Sequence, residues 1–434
     1  MSKSIFEIVD YTKKYNSIMQ FNKNKTVPIH QWYPFVEGYS KEFIESILDD
    51  IDYSPKHVLE PFAGSGTTPL ELQFKNIKCT SCEVSPFMHL LTSVKLHKDY
   101  DLKTFSHHIT NLKNDLNVCP RNITSYMQVP FGRTVIKTEK NNKKWNFNID
   151  VIHGILDIKY AINNIEDNIY KNLFSICLSS ILIEVSNVFR NGKCLSYKSN
   201  WEEKIKFSRT DVASIFINKL ESLFKDDIAL IQKNNTGIQV NNLENLHFGD
   251  IRENIKKIED KSIDLIITSP PYLNSRDYTD IYMLELKILD LVASHEDLNK
   301  LRKNTLRSHV QTKHGELEIL EIPLLKEYFF SISLKNIELW NNDLLNMIKG
   351  YFIDINNLFS EFKRVMIPNK RIYFNVANSA YFDTEIKVDE IICQIAEKHL
   401  FKVIEIRIAR NLKASSQQSK SILGLRESVI VIES

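Results

Sequence analysis

The segment Val58–Thr68 reads VLEPFAGSGTT, and it limits the possible folds more than any other part of the chain. A short apolar run ends in an acid, two glycines follow, and a helix start comes next. That order encodes a strand, a tight turn and a helix whose free N–H groups face whatever approaches the turn. Gly64 and Gly66 permit positive φ and close backbone approach. Pro69 falls in the first helical turn, where a missing N–H costs little. A second strand, Lys78–Cys82, ends at Glu83, 17 residues beyond Gly66. An acid near that spacing reaches ribose hydroxyls.

The turn is not a dehydrogenase fingerprint, because Pro69 stands where a third glycine belongs. It is not a P-loop, because no Gly-Lys-Ser/Thr follows. The acid Glu60 at the turn suits a ligand with a positive group better than one with phosphates. S-adenosylmethionine, with its ammonium, sulfonium and ribose, fits that description.

Strand–helix alternation continues elsewhere. Residues 40–51 form an amphipathic helix with Ser40 as N-cap. Short strands are expected at His57–Glu60, Leu246–Phe248, Ile263–Thr268, Arg371–Ala377, Phe401–Ile408 and Ser428–Ile432. A helix over Lys387–His399 precedes the last pair, which has no helix between its strands and reads as an antiparallel hairpin. Residues 101–240 differ in texture. They are polar and mainly helical, with one strongly apolar helix candidate over 169–189 and a basic loop around Arg133–Lys144. The expected architecture is therefore α/β: a Rossmann-like sheet with a C-terminal antiparallel hairpin, interrupted by a mainly helical insertion. Its parts are 1–100 with the glycine turn, 101–240 as the insertion, and 241–434.

A second motif lies at Ile263–Asn274, IDLIITSPPYLN. An apolar strand runs straight into Ser269-Pro270-Pro271-Tyr272. Two adjacent prolines fix φ and cannot continue a ladder. The result is a rigid corner at a strand's carboxyl end, where open α/β sheets keep their active sites. It offers the Ser269 hydroxyl, the Pro270 carbonyl and the Tyr272 ring. Two acceptors can hold the two hydrogens of an exocyclic amine, and an aromatic face can stack on a planar base.

Together the two motifs resemble those of the amino-methylating DNA methyltransferases, which modify cytosine N4 or adenine N6. VLEPFAGSGTT is similar to that family's cofactor motif, with Glu60 where Asp is usual, and ITSPPY resembles its catalytic motif. HQWYPFVEGYSKEFIESIL (30–48), LHFGD (246–250) and RIYFNVANSA (371–380) are similar to further conserved stretches. The resemblance implies S-adenosyl-L-methionine as cofactor, held by Tyr33, Phe35, Glu60, Phe62, Ala63, Gly64, Ser65, Gly66, Thr67, Glu83 and Asp250. It implies Ser269, Pro270, Pro271 and Tyr272 as catalytic residues. Ser in the first catalytic position is associated mainly with cytosine N4, and Asp or Asn with adenine N6. A carbon-5 cytosine enzyme needs a Cys nucleophile in a Pro-Cys pair, and none occurs here. The alternatives are adenine N6 on the same fold and a non-catalytic DNA-binding protein.

The implied partner is double-stranded DNA, with functional pairing to a restriction endonuclease. A base inside a duplex cannot reach Tyr272 unless it flips out. Residues 298–315 carry Lys300, Arg302, Lys303, Arg307 and Lys313 with no acid before Glu316. Residues 410–426 add Arg410, Lys413, Lys420 and Arg426. Segment 186–198 adds Arg190 and Lys193. From these, Arg190, Lys193, Arg302, Lys303, Arg307 and Lys413 are the expected DNA-binding side chains, and 101–240 is the expected target-recognition region.

Composition agrees without deciding. Lys+Arg 56 against Asp+Glu 54 gives +2, so a DNA surface must be local. Hydrophobic residues at 43% can bury a core. No run is apolar enough for a membrane span or a secretory signal, and six cysteines without a framework point to a cytoplasmic setting. A single CxxC at Cys79 and Cys82 lacks a second pair, so no metal is expected. Asp157-Ile158-Lys159 matches half of a nuclease pattern but is too short to carry weight.

Overall fold

Leu265 and Ile266 are adjacent in sequence and serve opposite layers. Leu265 packs with Phe43, Ile47 and Val58, while Ile266 packs with Leu59, Phe359 and Phe374. Tyr373 and Phe374 divide in the same way, as do Val429 and Ile430. This period of two, with both sides apolar, is the signature of strands covered by helices on both faces. Each such side chain taken fully out of water contributes about 1.5–3 kcal/mol.

The computed structural model describes residues 4–117, 143–191, 194–203, 207–273, 277–311, 315–335, 343–413, 422 and 424–434. Among the described residues, one eight-stranded sheet dominates. Its strands are β1 (Ile8–Asp10), β2 (His57–Glu60), β3 (Lys78–Glu83), β4 (Leu246–Phe248), β5 (Ile263–Thr268), β6 (Met366–Ala377), β7 (Lys402–Lys413) and β8 (Gly424–Glu433). They lie in the order β1-β7-β8-β6-β5-β2-β3-β4. Neighbours pair in parallel except β7 with β8 and β8 with β6. The sheet is thus mixed but mainly parallel, with the expected closing hairpin.

From β2 the chain moves outward through β3 to β4, then returns to the other side of β2 with β5. The β2–β5 border is therefore a topological switch point. Loops leaving the carboxyl ends of its two strands diverge and leave a crevice. Both sequence motifs leave from these ends.

Some elements were not expected from the sequence. Edge strand β1 pairs in parallel with β7, and its tripeptide Ile8–Asp10 is too short to signal itself. Strand β6 begins at Met366 rather than Arg371, and β7 runs on to Lys413. A 23-residue helix, Asp343–Val365, covers one face of the sheet with Phe352, Ile355, Phe359 and Phe362 buried.

The described part of 101–240 is mainly helical, with helices Leu102–Asn117, Ile149–Asn163, Asn168–Val185, Arg209–Lys219 and Lys225–Asn234. A two-stranded hairpin pairs Val188–Arg190 with Leu195–Tyr197. These helices share one apolar cluster with Trp32, Tyr33, Phe35, Phe87 and Leu91 from the first hundred residues. Trp32 stacks on Phe224 with ring centroids 5.2 Å apart. Asp227 accepts from the Ile29 amide at 2.7 Å. The insertion thus packs directly on the segment that precedes the glycine turn. No described helix is long and apolar enough to cross a membrane.

Candidate active site

Both motif loops open into one cavity of about 820 Å³. Pro61–Ser65 and Thr67 line it from the β2 side, and Ser269–Leu273 from the β5 side. The segment 34–39, Glu83, and Phe189 and Arg190 of the insertion hairpin complete much of the wall. Clefts of 300–1,000 Å³ are the usual size for small ligands and cofactors.

The glycine turn behaves as its sequence requires. Gly64 has φ +53° and Gly66 φ +79°. A Cβ on Gly66 would come within 2.8 Å of Thr92 Cγ2, so the position also lacks room. Gly66 is the N-cap of the helix Thr67–Phe74, and no side chain caps that end. Its N–H groups remain suited to a polar ligand.

Two carboxylates hold the turn from different places. Glu60 is 1% exposed and does not line the cavity. It accepts from Tyr39 Oη at 2.6 Å, Thr68 Oγ1 at 3.1 Å and the Phe62 amide at 3.0 Å. Burial pushes its pKa up to about 7. Glu60 therefore shapes the turn from beneath, and its oxygens are already engaged. Glu83 does line the cavity. It accepts from the Gly64 amide at 2.7 Å and the Ser85 amide at 2.8 Å. Burial pushes its pKa to about 7 as well, against the pull of those amides.

Beneath the turn lies Lys95, which the sequence reading passed over. It is 1% exposed, and its Nζ donates to the Ser65 carbonyl at 2.9 Å. Desolvation lowers its pKa to about 7.

On the β5 side a hydrogen-bond network fixes the Ser-Pro-Pro-Tyr corner. Tyr272 Oη donates to Glu427 Oε1 at 2.6 Å and accepts from Asn375 Nδ2 at 2.6 Å. Asn375 Nδ2 also reaches Ser269 Oγ at 3.3 Å. Arg410 forms an ion pair with the second Glu427 oxygen. Asn375, Arg410 and Glu427 come from β6, β7 and β8, and all three line the cavity. The directions follow from chemistry. An ionised Glu427 only accepts, so Tyr272 donates to it, and the Tyr272 oxygen is left to accept from the Asn375 amide. Glu427 and Asn375 were not singled out in the sequence: Glu427 lies between Arg426 and Ser428 and looks like part of a polar strand end, and Asn375 is a single polar residue within IYFNVA. For Asn375, a polar residue near the carboxyl end of an apolar strand was the available clue.

Other expectations need correction. Tyr33 does not line the cavity. It is fully buried against Phe87, and its hydroxyl accepts from Arg190. Phe35, two residues on, does reach the cavity. Asp250 also lies outside the lining; its carboxylate caps the Arg252 amide at 2.9 Å and pairs with Arg252 Nη2 at 2.7 Å. Gly249 and Ile251 flank it and face the cavity instead.

The expected DNA-binding arginines are committed inside the protein. Arg190 pairs with fully buried Glu285 and lies over the Tyr33 and Tyr282 rings. Arg302 pairs with buried Asp277 and, at 3.0 Å, with Asp280. Arg307 reaches buried Asp354 at 2.7 Å. Each partner lies at least 22 residues away in sequence, so the acid-free basic runs looked unpaired. These carboxylates take up part of each guanidinium's donors and neutralise its charge, which weakens its pull on a phosphate. Lys303 is exposed. Lys193 and the side chain of Lys413 fall outside the described residues. Asp157 and Lys159 pair with Arg209 and Asp290, not with each other.

No protein-family model matches the chain. The chain is similar to the type II methyltransferase M.BsoBI of Geobacillus stearothermophilus, at 25% identity over 488 positions covering 100% of this chain and 91% of that protein. The type II methyltransferase M.AvaI of Nostoc sp. is 27% identical over 95% of this chain and 88% of its own. The type II methyltransferase M.MvaI of Kocuria varians is 24% identical over 89% and 86%.

Proposed function

We propose that this chain is a DNA methyltransferase that uses S-adenosyl-L-methionine to methylate the N4 amine of a flipped-out cytosine. It would be the protective partner of a restriction endonuclease. One observation carries the reading: the glycine turn and the Ser-Pro-Pro-Tyr corner leave adjacent parallel strands at a switch point and line the same cavity. The similarity of the whole chain to named type II methyltransferases supports it.

The residues present suit the cofactor. An uncapped helix N-terminus, a turn with two glycines at positive φ, a carboxylate on the wall and the Phe35 ring meet at one cavity. Phe35, Phe62–Gly64, Ser65, Thr67 and Glu83 would hold it. Glu83 suits a cationic ligand with ribose hydroxyls to donate. When bound, the cofactor supplies an electrophilic methyl group on sulfur.

The protein's task is then to orient a weak nucleophile. The lone pair of an exocyclic amine is conjugated with its ring. Ser269 Oγ and the Pro270 carbonyl would accept its two hydrogens and aim the lone pair, while the Tyr272 ring stacks on the base. The amine would take up the methyl group, with the carbon–sulfur bonding pair left on the departing sulfur and the amine's proton passing to solvent. No covalent enzyme nucleophile is required. Serine in the first catalytic position favours cytosine N4 over adenine N6, by the resemblance already described.

The test is transfer of label from methyl-labelled S-adenosylmethionine to unmethylated phage DNA by the wild-type chain and by Ser269→Ala. Label in DNA that falls at least about tenfold in the variant, with cofactor affinity kept, supports the reading. Absence of label with every DNA tried would contradict it.

A further inference from the structure

Phe189 is a large aromatic side chain left in solvent beside a reaction cavity. It is 42% exposed, while its neighbours Val188 and Arg190 are 1% exposed and 7% exposed in the side chain. It lines the same cavity as Ser269 and Tyr272. Among the exposed large apolar side chains of the described residues, Phe189 and Val36 line that cavity, and only Phe189 is aromatic.

The hairpin that carries Phe189 is held firmly on both sides. Arg190 is locked to Glu285 and donates to the Ile281 carbonyl at 3.3 Å. Lys198 Nζ donates to the carbonyls of Ile183, Glu184 and Ser186 at 2.9, 2.9 and 2.6 Å, tying down the end of the preceding helix. The Asn187 amide donates to the Asn146 carbonyl at 2.7 Å. Opposite Phe189 stands Ser196, too small to cover the ring. The ribbon is anchored, and the ring protrudes.

Resting on the methyltransferase reading above, we propose that Phe189 enters the duplex and fills the stack where the target base has left. Pulling a base out of a duplex opens an apolar gap between its neighbours. An apolar side chain that fills this gap recovers part of the lost stacking. Such a residue must project from a rigid element at the rim of the pocket that receives the base. Phe189 meets both requirements, and its exposure in the free protein follows from the role.

Labelled phage DNA first identifies the methylated sequence. Short synthetic duplexes of that sequence then carry either the normal pair or an abasic site opposite the target base, which removes the pairing cost of flipping. Phe189→Ala is expected to slow single-turnover methylation of the paired duplex about tenfold or more and to regain most of the wild-type rate on the abasic duplex. Phe189→Trp, which retains a ring, should keep a near-wild-type rate on both. Equal rates for Phe189→Ala and wild type on the paired duplex would overturn the proposal. So would equal impairment of Phe189→Ala on both duplexes, which marks a general loss of contact or fold. A wild-type chain that labels no DNA would overturn the methyltransferase reading and this proposal with it.

Discussion

Tyr272 donates its phenolic proton to Glu427 across 2.6 Å, joining the Ser-Pro-Pro-Tyr corner to a strand 155 residues later. The bond fixes the outer end of a ring whose proposed work is done by its face. Tyr272→Phe keeps the face and loses the anchor. A hydrogen bond to a charged group contributes about 1.5–3 kcal/mol. Turnover should therefore fall about 10–100-fold while cofactor affinity is unchanged. Glu427→Gln should fall less, because an amide oxygen still accepts from Tyr272. Separate measurement of kcat and cofactor Kd checks both, and an equal loss of cofactor binding would remove the anchoring role.

Arg307 and Lys303 should part company. Arg307 neutralises Asp354, which is 1% exposed. Arg307→Ala removes the two guanidinium bonds to Asp354 and leaves that buried carboxylate with Arg252 at 3.3 Å and one backbone amide, at a cost of about 1–3 kcal/mol. A measurable drop in Tm is expected, and a larger one when Arg252 is replaced as well. Lys303 is exposed, so Lys303→Ala should leave Tm unchanged. If Lys303 touches DNA, the salt dependence of binding should fall by about one phosphate contact.

Glu83 gives the cofactor site a pH dependence. Its folded pKa is raised to about 7 by burial, so it gains charge only as the pH rises through that value. Ligand hydroxyls and a positive ligand charge favour the carboxylate. Cofactor affinity should rise with pH up to about 7 and then level off. The ligand-free protein should behave oppositely. A carboxyl whose folded pKa lies above its unfolded value stabilises the fold fully at low pH and loses that contribution as pH climbs through about 7. Glu60 and Lys95 also titrate near 7, so Glu83→Gln is the necessary comparison. Calorimetric titration across pH should give a flatter profile for this variant.

Gly66 combines positive φ with a crowded Cβ position. Gly66→Ala strains the backbone by about 1–3 kcal/mol and pushes on Thr92. Lower Tm and weaker cofactor binding are expected together. Gly237→Ala is the control, since nothing lies within 4 Å of its Cβ position. Its Tm should stay close to that of the wild type.

The strands were legible because each is a short apolar run that ends at a turn residue. His57–Glu60, Leu246–Phe248 and Ile263–Thr268 begin and end where their residues indicate. Both motif loops were legible for a related reason, because glycine and proline write backbone geometry directly into sequence. Charge was misread because pairing is a property of space. Arg302 and Arg307 sit in a run without acids, yet Asp277 and Asp354 meet them from other elements. Tyr33 was misread because an aromatic residue looks the same in a core and in a ligand wall. Glu427 and Asn375 were missed because their meaning lies in three strands meeting at Tyr272.

The identity of the methylated nucleoside tests the central claim most directly. Phage DNA treated with the chain and labelled S-adenosylmethionine is digested to nucleosides, and the label is located. The account expects N4-methylcytosine, from a serine-bearing corner acting on an exocyclic amine without a cysteine nucleophile. N6-methyladenine would keep the site and overturn the choice of base. Label in 5-methylcytosine would contradict the account at its root, because nothing at the Ser269–Tyr272 corner attacks a ring carbon.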